Sequence, residues 1–178
     1  TASDGNGGLI TNNARDTISL SGRLSDGSPG GMLSQTTGST PGSGAGGNIS
    51  LIAGQSIGIS DGSTVSASTS GPGNAGNILV KANEITLNGG GTITAASTGA
   101  GGAGIVTIQG IDSPANSFLI DGAGSGVFTT TSDTGTGGNI TIDANAVTLQ
   151  NGAHLSSSST GLGSTGNIQI NAGNQFAT

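Results

Sequence analysis

The chain is expected to fold as an all-β parallel β-helix (β-solenoid) of about six coils, each ~28–34 residues long with three short strands. Three observations predict this. A Gly-Asn-Ile-x-aliphatic-x-Ala stretch returns along the chain at nearly fixed intervals. Short runs of alternating aliphatic and polar residues follow each copy. Gly-rich corners separate those runs at matching places. Self-similarity at this period is the signature of a stacked repeat, in which each unit buries its apolar side against the next.

The first copy is Gly47-Asn48-Ile49-Ser50-Leu51-Ile52-Ala53. It returns from Gly76, from Gly138 and from Gly166, with a degenerate copy at Gly104-Ile105-Val106-Thr107-Ile108. The spacings are 29, 28, 34 and 28 residues. Within the first copy Ile49, Leu51 and Ala53 alternate with polar or outward residues, which is the period of a strand. Ile57 and Ile59 form a second run, and Asp61-Gly62 marks a sharp corner. Val65, Ala67 and Thr69 form a third. Ile78–Ala95 and Ile140–Ser157 repeat the plan. No segment sustains the apolar 3,4 spacing of a helix, and Gly interrupts every useful window.

Two coils are longer. One carries an insertion at 111–117 before Phe118, Leu119 and Ile120; the other carries one at 23–31 before Met32 and Leu33. They are read as sharing one plan. The order long, short, short then occurs twice, and residues 1–178 form a single solenoid segment of two three-coil super-repeats, 1–90 and 91–178. Residues 2–8 look like the end of a preceding coil. Leu9–Asp16 have no assignment.

Stacking coils at ~4.8 Å places equivalent residues directly above one another. Ile49, Ile78, Val106, Ile140 and Ile168 should form one internal ladder. Ile59, Leu87, Ile120 and Leu149 should form another, and Val65, Ile93, Val127 and Leu155 a third. Ala53, Ala82, Ala144 and Ala172 are small because the chain turns there. Asn48, Asn77, Asn139 and Asn167 should form a structural ladder of stacked amides. Ser66, Ser68, Thr94, Thr130, Ser156 and Ser158 should face outward, and substitution of Ser66 or Ser156 should matter little.

Composition narrows the chemistry. Charged residues make up 7% and aromatics 2%, with no Trp or Tyr, and the net charge is −6. An acidic chain without basic patches or stacking aromatics is a poor nucleic-acid binder. Apolar residues held in register, at near-zero mean hydropathy, argue against disorder. There is no Cys, so no disulfide or thiolate metal site. No apolar run is long enough to span a membrane. The chain starts without Met or a signal sequence, so it is expected to be a processed or excised piece.

His154 is the only His and falls on the outward parity of its strand. The acids Asp61, Glu84, Asp112, Asp121, Asp133 and Asp143 are scattered over turns and outward positions, and Lys81 and Glu84 flank one corner as a solvated pair. Nothing here assembles an acid–base pair or nucleophile, so no enzyme, catalytic residue or cofactor is expected. Weak calcium binding at Asp-rich corners is the one metal chemistry left open. The sequons Asn48-Ile49-Ser50 and Asn139-Ile140-Thr141 fall where the repeat itself dictates Asn. Leu33 and Phe128 project opposite core Met32 and Val127. With Asp112 and Pro114 of the insertion, they form the candidate interaction surface.

The motifs resemble the filamentous haemagglutinin-type exoproteins of two-partner secretion systems. The resemblance is carried by Asn74-Ala75-Gly76-Asn77-Ile78, by Ile85-Thr86-Leu87-Asn88-Gly89 and by the run Val147–Ser158, and it covers about residues 18–178. It implies a right-handed β-helix on a secreted, surface-attached filament serving adhesion, aggregation or matrix formation. The family's N-terminal secretion domain is missing, so an interior repeat segment is implied. The expected role is therefore a non-catalytic, extracellular structural or adhesive solenoid that stacks end to end into fibres, with cell-surface or matrix polysaccharide as a candidate partner. The alternatives are a carbohydrate-binding module, which lacks an aromatic platform, and a polysaccharide-cleaving β-helix enzyme, which lacks an acid–base set.

Overall fold

The computed structural model describes residues 5–38, 44–112 and 114–178. The first turn comprises β1 (Ile10–Ala14), β2 (Thr17–Ser21) and β3 (Gly31–Leu33). The second comprises β4 (Ile49–Ala53), β5 (Ser56–Ser60) and β6 (Thr64–Ser66). The third is β7 (Ile78–Lys81), β8 (Glu84–Asn88) and β9 (Thr92–Thr94), and the fourth β10 (Val106–Gln109), β11 (Ala115–Asp121) and β12 (Gly126–Thr131). In the fifth, one strand, β13 (Ile140–Gln150), does the work of two and is followed by β14 (His154–Ser159). β15 (Ile168–Ala177) opens a sixth. The architecture is thus a parallel β-solenoid of five complete turns and the start of another.

All strand pairings between turns are parallel and join each strand to its equivalent in the next turn. The first ladder is β1-β4-β7-β10-β13, and the second is β2-β5-β8-β11-β13. They merge because β13 runs through the corner, passing it with a register shift between Ala144 and Ala146 when it pairs β15. The third ladder is β3-β6-β9-β12-β14.

The expected core columns are the observed ones. Ile10, Ile49, Ile78, Val106, Ile140 and Ile168 are in register. So are Leu20, Ile59, Leu87, Ile120 and Leu149, and Met32, Val65, Ile93, Val127 and Leu155. Phe118 fills the column of Ile57, Ile85 and Val147 and is 1% exposed. The first and last rungs, with one neighbouring rung each, are less covered: Ile10 and Leu155 are half-buried, and Ile168 is 41% exposed.

Register also assigns Leu9–Asp16. Ile10 pairs Ile49 and Ala14 pairs Ala53, so this segment is the first strand of the first turn. Its pattern is hard to read because Asn12 replaces Leu51 at an inward position. The comparison of residues 2–8 with an earlier coil falls partly on residues 1–4, outside the described residues. The insertion at 111–117 includes Ser113, which also lies outside them.

The two long coils do not share one plan. The first turn's insertion lies between β2 and β3, where Arg23 bridges Pro29 and Gly30 N–H returns to Gly22 O. The fourth turn's lies between β10 and β11, at a different corner. Ser117 already pairs Glu84, so the extra chain is spent before that residue.

One further difference concerns Ser66. Its parity is outward, but it is 5% exposed. The Gln35 amide donates to Ser66 Oγ at 3.0 Å, and the Ser68 hydroxyl shares a 3.0 Å bond with it. Side-chain contacts across the rungs cover what alternation alone would expose.

Candidate functional site

The Gly-Asn-Ile stretch has a geometry of its own. A side chain on Gly76 would run into the carbonyl of Gly47, one on Gly104 into that of Gly76, and one on Gly138 into that of Gly104. Gly is required here by the approach of the turn below. The same stretch closes against the third ladder, where Gly76 N–H donates to Ala67 O at 2.8 Å and Gly104 N–H to Ala95 O at 3.2 Å. That pinched corner leaves room only for small inward residues, and Thr129 and Ser157 follow Ala67 and Ala95 there, each donating its hydroxyl to Gly138 O at 2.7 Å.

The Asn residues act along the axis, but through the backbone. Asn77 N–H donates to Asn48 Oδ1 at 2.8 Å, Ile105 N–H to Asn77 Oδ1 at 2.9 Å, and Asn167 N–H to Asn139 Oδ1 at 2.8 Å. Each side chain thus caps the peptide of the next rung; none of these bonds joins two side-chain amides. A second, unanticipated row does the same: Ala45 N–H donates to Asn6 Oδ1 at 3.0 Å and Gly102 N–H to Asn74 Oδ1 at 2.8 Å. Where the sequence places Leu9 and Ile105 in the first row, the cap is lost and an apolar side chain emerges, 72% and 44% exposed.

The residues proposed as an interaction surface are not brought together. Leu33 is 44% exposed and lines a shallow groove with Leu9 and Gln35 in the first turn. Phe128 occupies the same column three rungs on, through Ser66 and Thr94. It is half-buried, with its ring against Gly126, where no side chain could fit beneath it. Asp112 is exposed and Pro114 half-buried, both at the corner between the first and second ladders. Two residues three rungs apart on the third ladder and two at the corner between the other ladders form no single surface.

Titratable groups are equally dispersed. His154 is exposed at the start of β14, opposite Gly126. Lys81 ends β7 and Glu84 opens β8, on either side of a corner. At the next corner the Ser21 and Ser60 hydroxyls donate to Asp61 Oδ2 at 2.9 and 3.0 Å, and Asn151 Nδ2 donates to Asp121 Oδ1 at 2.7 Å. Asp61 and Asn151 adopt φ of 54° and 55° and are each followed by a positive-φ Gly, so short polar side chains there serve the turn. Asp26 is held below the usual carboxylate range by the Ser28 N–H, which donates to Oδ1 at 2.8 Å. Among the described residues no three His, Cys, Asp or Glu are grouped to hold a metal. Among the described residues no helix is long and apolar enough to cross a membrane.

Two outward surfaces remain. The third ladder is rich in hydroxyls, many of them bonded to one another: Thr92 Oγ1 donates to Thr64 Oγ1 at 2.8 Å. The first ladder carries a groove of about 390 Å³ lined by Ser50, Leu79, Ile105 and Thr107, with Asn48 and Asn77 alongside. Sequence reasoning passed over this second surface. Its one signal was Ile105, the residue that makes the motif at Gly104 degenerate. Comparison with protein-family models, curated proteins and solved structures found no match to this chain. What the fold establishes is a β-solenoid repeat protein.

Proposed function

We propose that this chain is a non-catalytic structural or adhesive segment of an extracellular filament, of the filamentous haemagglutinin type that its motifs resemble. The observation that carries this reading is the continuous parallel ladder. Six rungs stack in register over roughly 29 Å at ~4.8 Å each. Their side chains are spent on core columns, backbone caps and turns rather than on a convergent reactive set. Such a rod bears load along its axis and presents loops at regular intervals.

Axial self-association follows from the same ladder. The outer edge of β15 offers backbone groups to a further coil, as exposed sheet edges do. Ile168 and Phe176 lie on it, 41% and 52% exposed. Stacked on it in register, the β1 and β2 strands of a second copy would set Ile10 over Ile168 and Ile18 over Phe176. Electron microscopy at high protein concentration should show rods longer than one chain. Particles of one-chain length at every concentration would overturn axial stacking, and clear turnover of a polysaccharide would overturn the non-catalytic reading. Carbohydrate binding is the second reading, favoured by the hydroxyl-rich third ladder around Phe128. It requires glycan-array binding that is lost in Phe128→Ala.

A further inference from the structure

We propose that two copies of this chain also pair laterally, face to face and antiparallel, through the outward side of the first ladder. The argument starts from charge. The chain carries −6, so most encounters between copies set acid against acid. The outward side of the third ladder carries no carboxylate, and the first ladder's face carries one charge of each sign. The first ladder's charged outward residues are Lys81 and Asp143, and they stand in one column. Lys81 pairs Gln109 in register, and Gln109 and Asp143 follow the paired Ile108 and Ile142. The two charges are therefore two rungs apart, about 10 Å, with Gln109 between them.

That arrangement is self-complementary. A twofold axis along the strand direction, passing over β10, sends each rung to the one equally far on the other side. Lys81 then faces the other copy's Asp143, Asp143 faces the other copy's Lys81, and Ile105 meets Ile105. Both ion pairs form at once, as an isologous interface demands. The apolar centre is already in place. Ile105, like Leu9 in the first turn, stands where Asn48, Asn77 and Asn139 cap the backbone. Leu79 lies diagonally beside it on the neighbouring strand, and Ile52 diagonally beside Leu79 on the next. The chain has given up a cap to expose an aliphatic side chain at the midpoint of a neutral face.

The size fits a weak dimer. Centred on β10, the overlap spans five rungs, β4 to β15; at ~4.8 Å a rung and ~3.3 Å for each of six residues it covers about 24 by 20 Å, or close to 480 Å² per copy. That total of roughly 960 Å² is the size of a weak, transient interface. The pairing is lateral and does not depend on axial stacking, so either can fail without the other.

Sedimentation velocity on the intact chain, across a concentration series at low and high salt, tests it. Lys81→Asp should weaken dimerisation at least tenfold, because symmetry counts the substitution twice. Asp143→Lys should do the same. The double variant Lys81→Asp/Asp143→Lys should restore it, which only a direct pairing of the two positions explains. Ile105→Asn, which reinstates the cap, should weaken dimerisation while leaving the melting temperature within a few degrees. Self-association unaffected by either single charge reversal, or no rescue in the double variant, would overturn the proposal. So would a monomer throughout the series.

Discussion

Gly104→Ala and Gly58→Ala are the same chemical change and should have opposite signs. A methyl group on Gly104 would overlap the Gly76 carbonyl oxygen, and would stand 2.7 Å from its carbon and 3.2 Å from Ala95 Cβ. Carbon–carbon contact is comfortable from about 3.5 Å, so the two turns would have to separate by roughly 0.8 Å on the carbon alone. Neither can yield easily. Gly76 is held to Ala67 and Gly104 to Ala95 by backbone hydrogen bonds across the pinched corner, and Gly138 presses on Gly104 from the other side. Overpacking a well-filled interior costs ~1–3 kcal/mol, more where backbone must move. The entropic gain of Gly→Ala returns only ~0.4–1 kcal/mol. A net loss of about 2 kcal/mol follows, worth roughly 4–8 °C in melting temperature for a chain of this size. At Gly58, outward in β5, an added Cβ meets nothing within 4 Å. There the entropic term acts alone, and the melting temperature should rise by about 1–4 °C. Thermal melts followed by circular dichroism measure both. Gly104→Ala melting at or above the parent temperature would refute the close-approach argument.

Further predictions follow from the same ladders. Asn77→Ala removes the acceptor of the Ile105 N–H and should cost ~0.5–1.5 kcal/mol, read from the urea midpoint, toward the lower end because water reaches this row. Ile140→Asp puts an unpaired carboxylate at a fully buried position, forfeiting ~1.5–3 kcal/mol of burial besides the desolvation cost. Because each turn touches only its neighbours, hydrogen exchange should quicken in β10, β13 and β15 while β4 and β5 keep their protection; uniform loss would contradict that independence. The Asp26–Ser28 contact has a defined pH window. A carboxyl whose folded pKa is depressed contributes above its unfolded pKa and loses that contribution as pH falls through the folded value. The Ser28 amide resonance should therefore shift with a midpoint below that of an unperturbed aspartate, and Asp26→Asn should abolish that transition.

What could be read from the sequence was everything that repeats locally. Alternation decides which side of a strand each residue takes, because successive side chains point to opposite faces. The recurrence of Gly-Asn-Ile decides which residues share a column, because equal turns stack in register. Parallel strands, the three aliphatic ladders and the Asp61-Gly62 corner all followed from those two facts. What the tertiary structure alone decided lies between turns, where neither rule reaches. An insertion shows in the count of residues, but only register reveals which corner absorbs it, so the loops at 23–31 and 111–117 looked alike until β2, β3, β10 and β11 were placed. Parity alone left Ser66 exposed; the Gln35 amide of the neighbouring turn buries it. Asn48 and Asn77 were recognisable as a row, but the peptide N–H that each caps belongs to the turn above. Leu33 and Phe128 share a column and are still three rungs apart. Lys81 and Asp143 lie 62 positions apart by number (143 − 81) and stand two rungs apart in space. The physical reason is the same throughout. A strand's inside and outside are set by its own backbone, whereas a contact between turns depends on how many residues every intervening corner consumes.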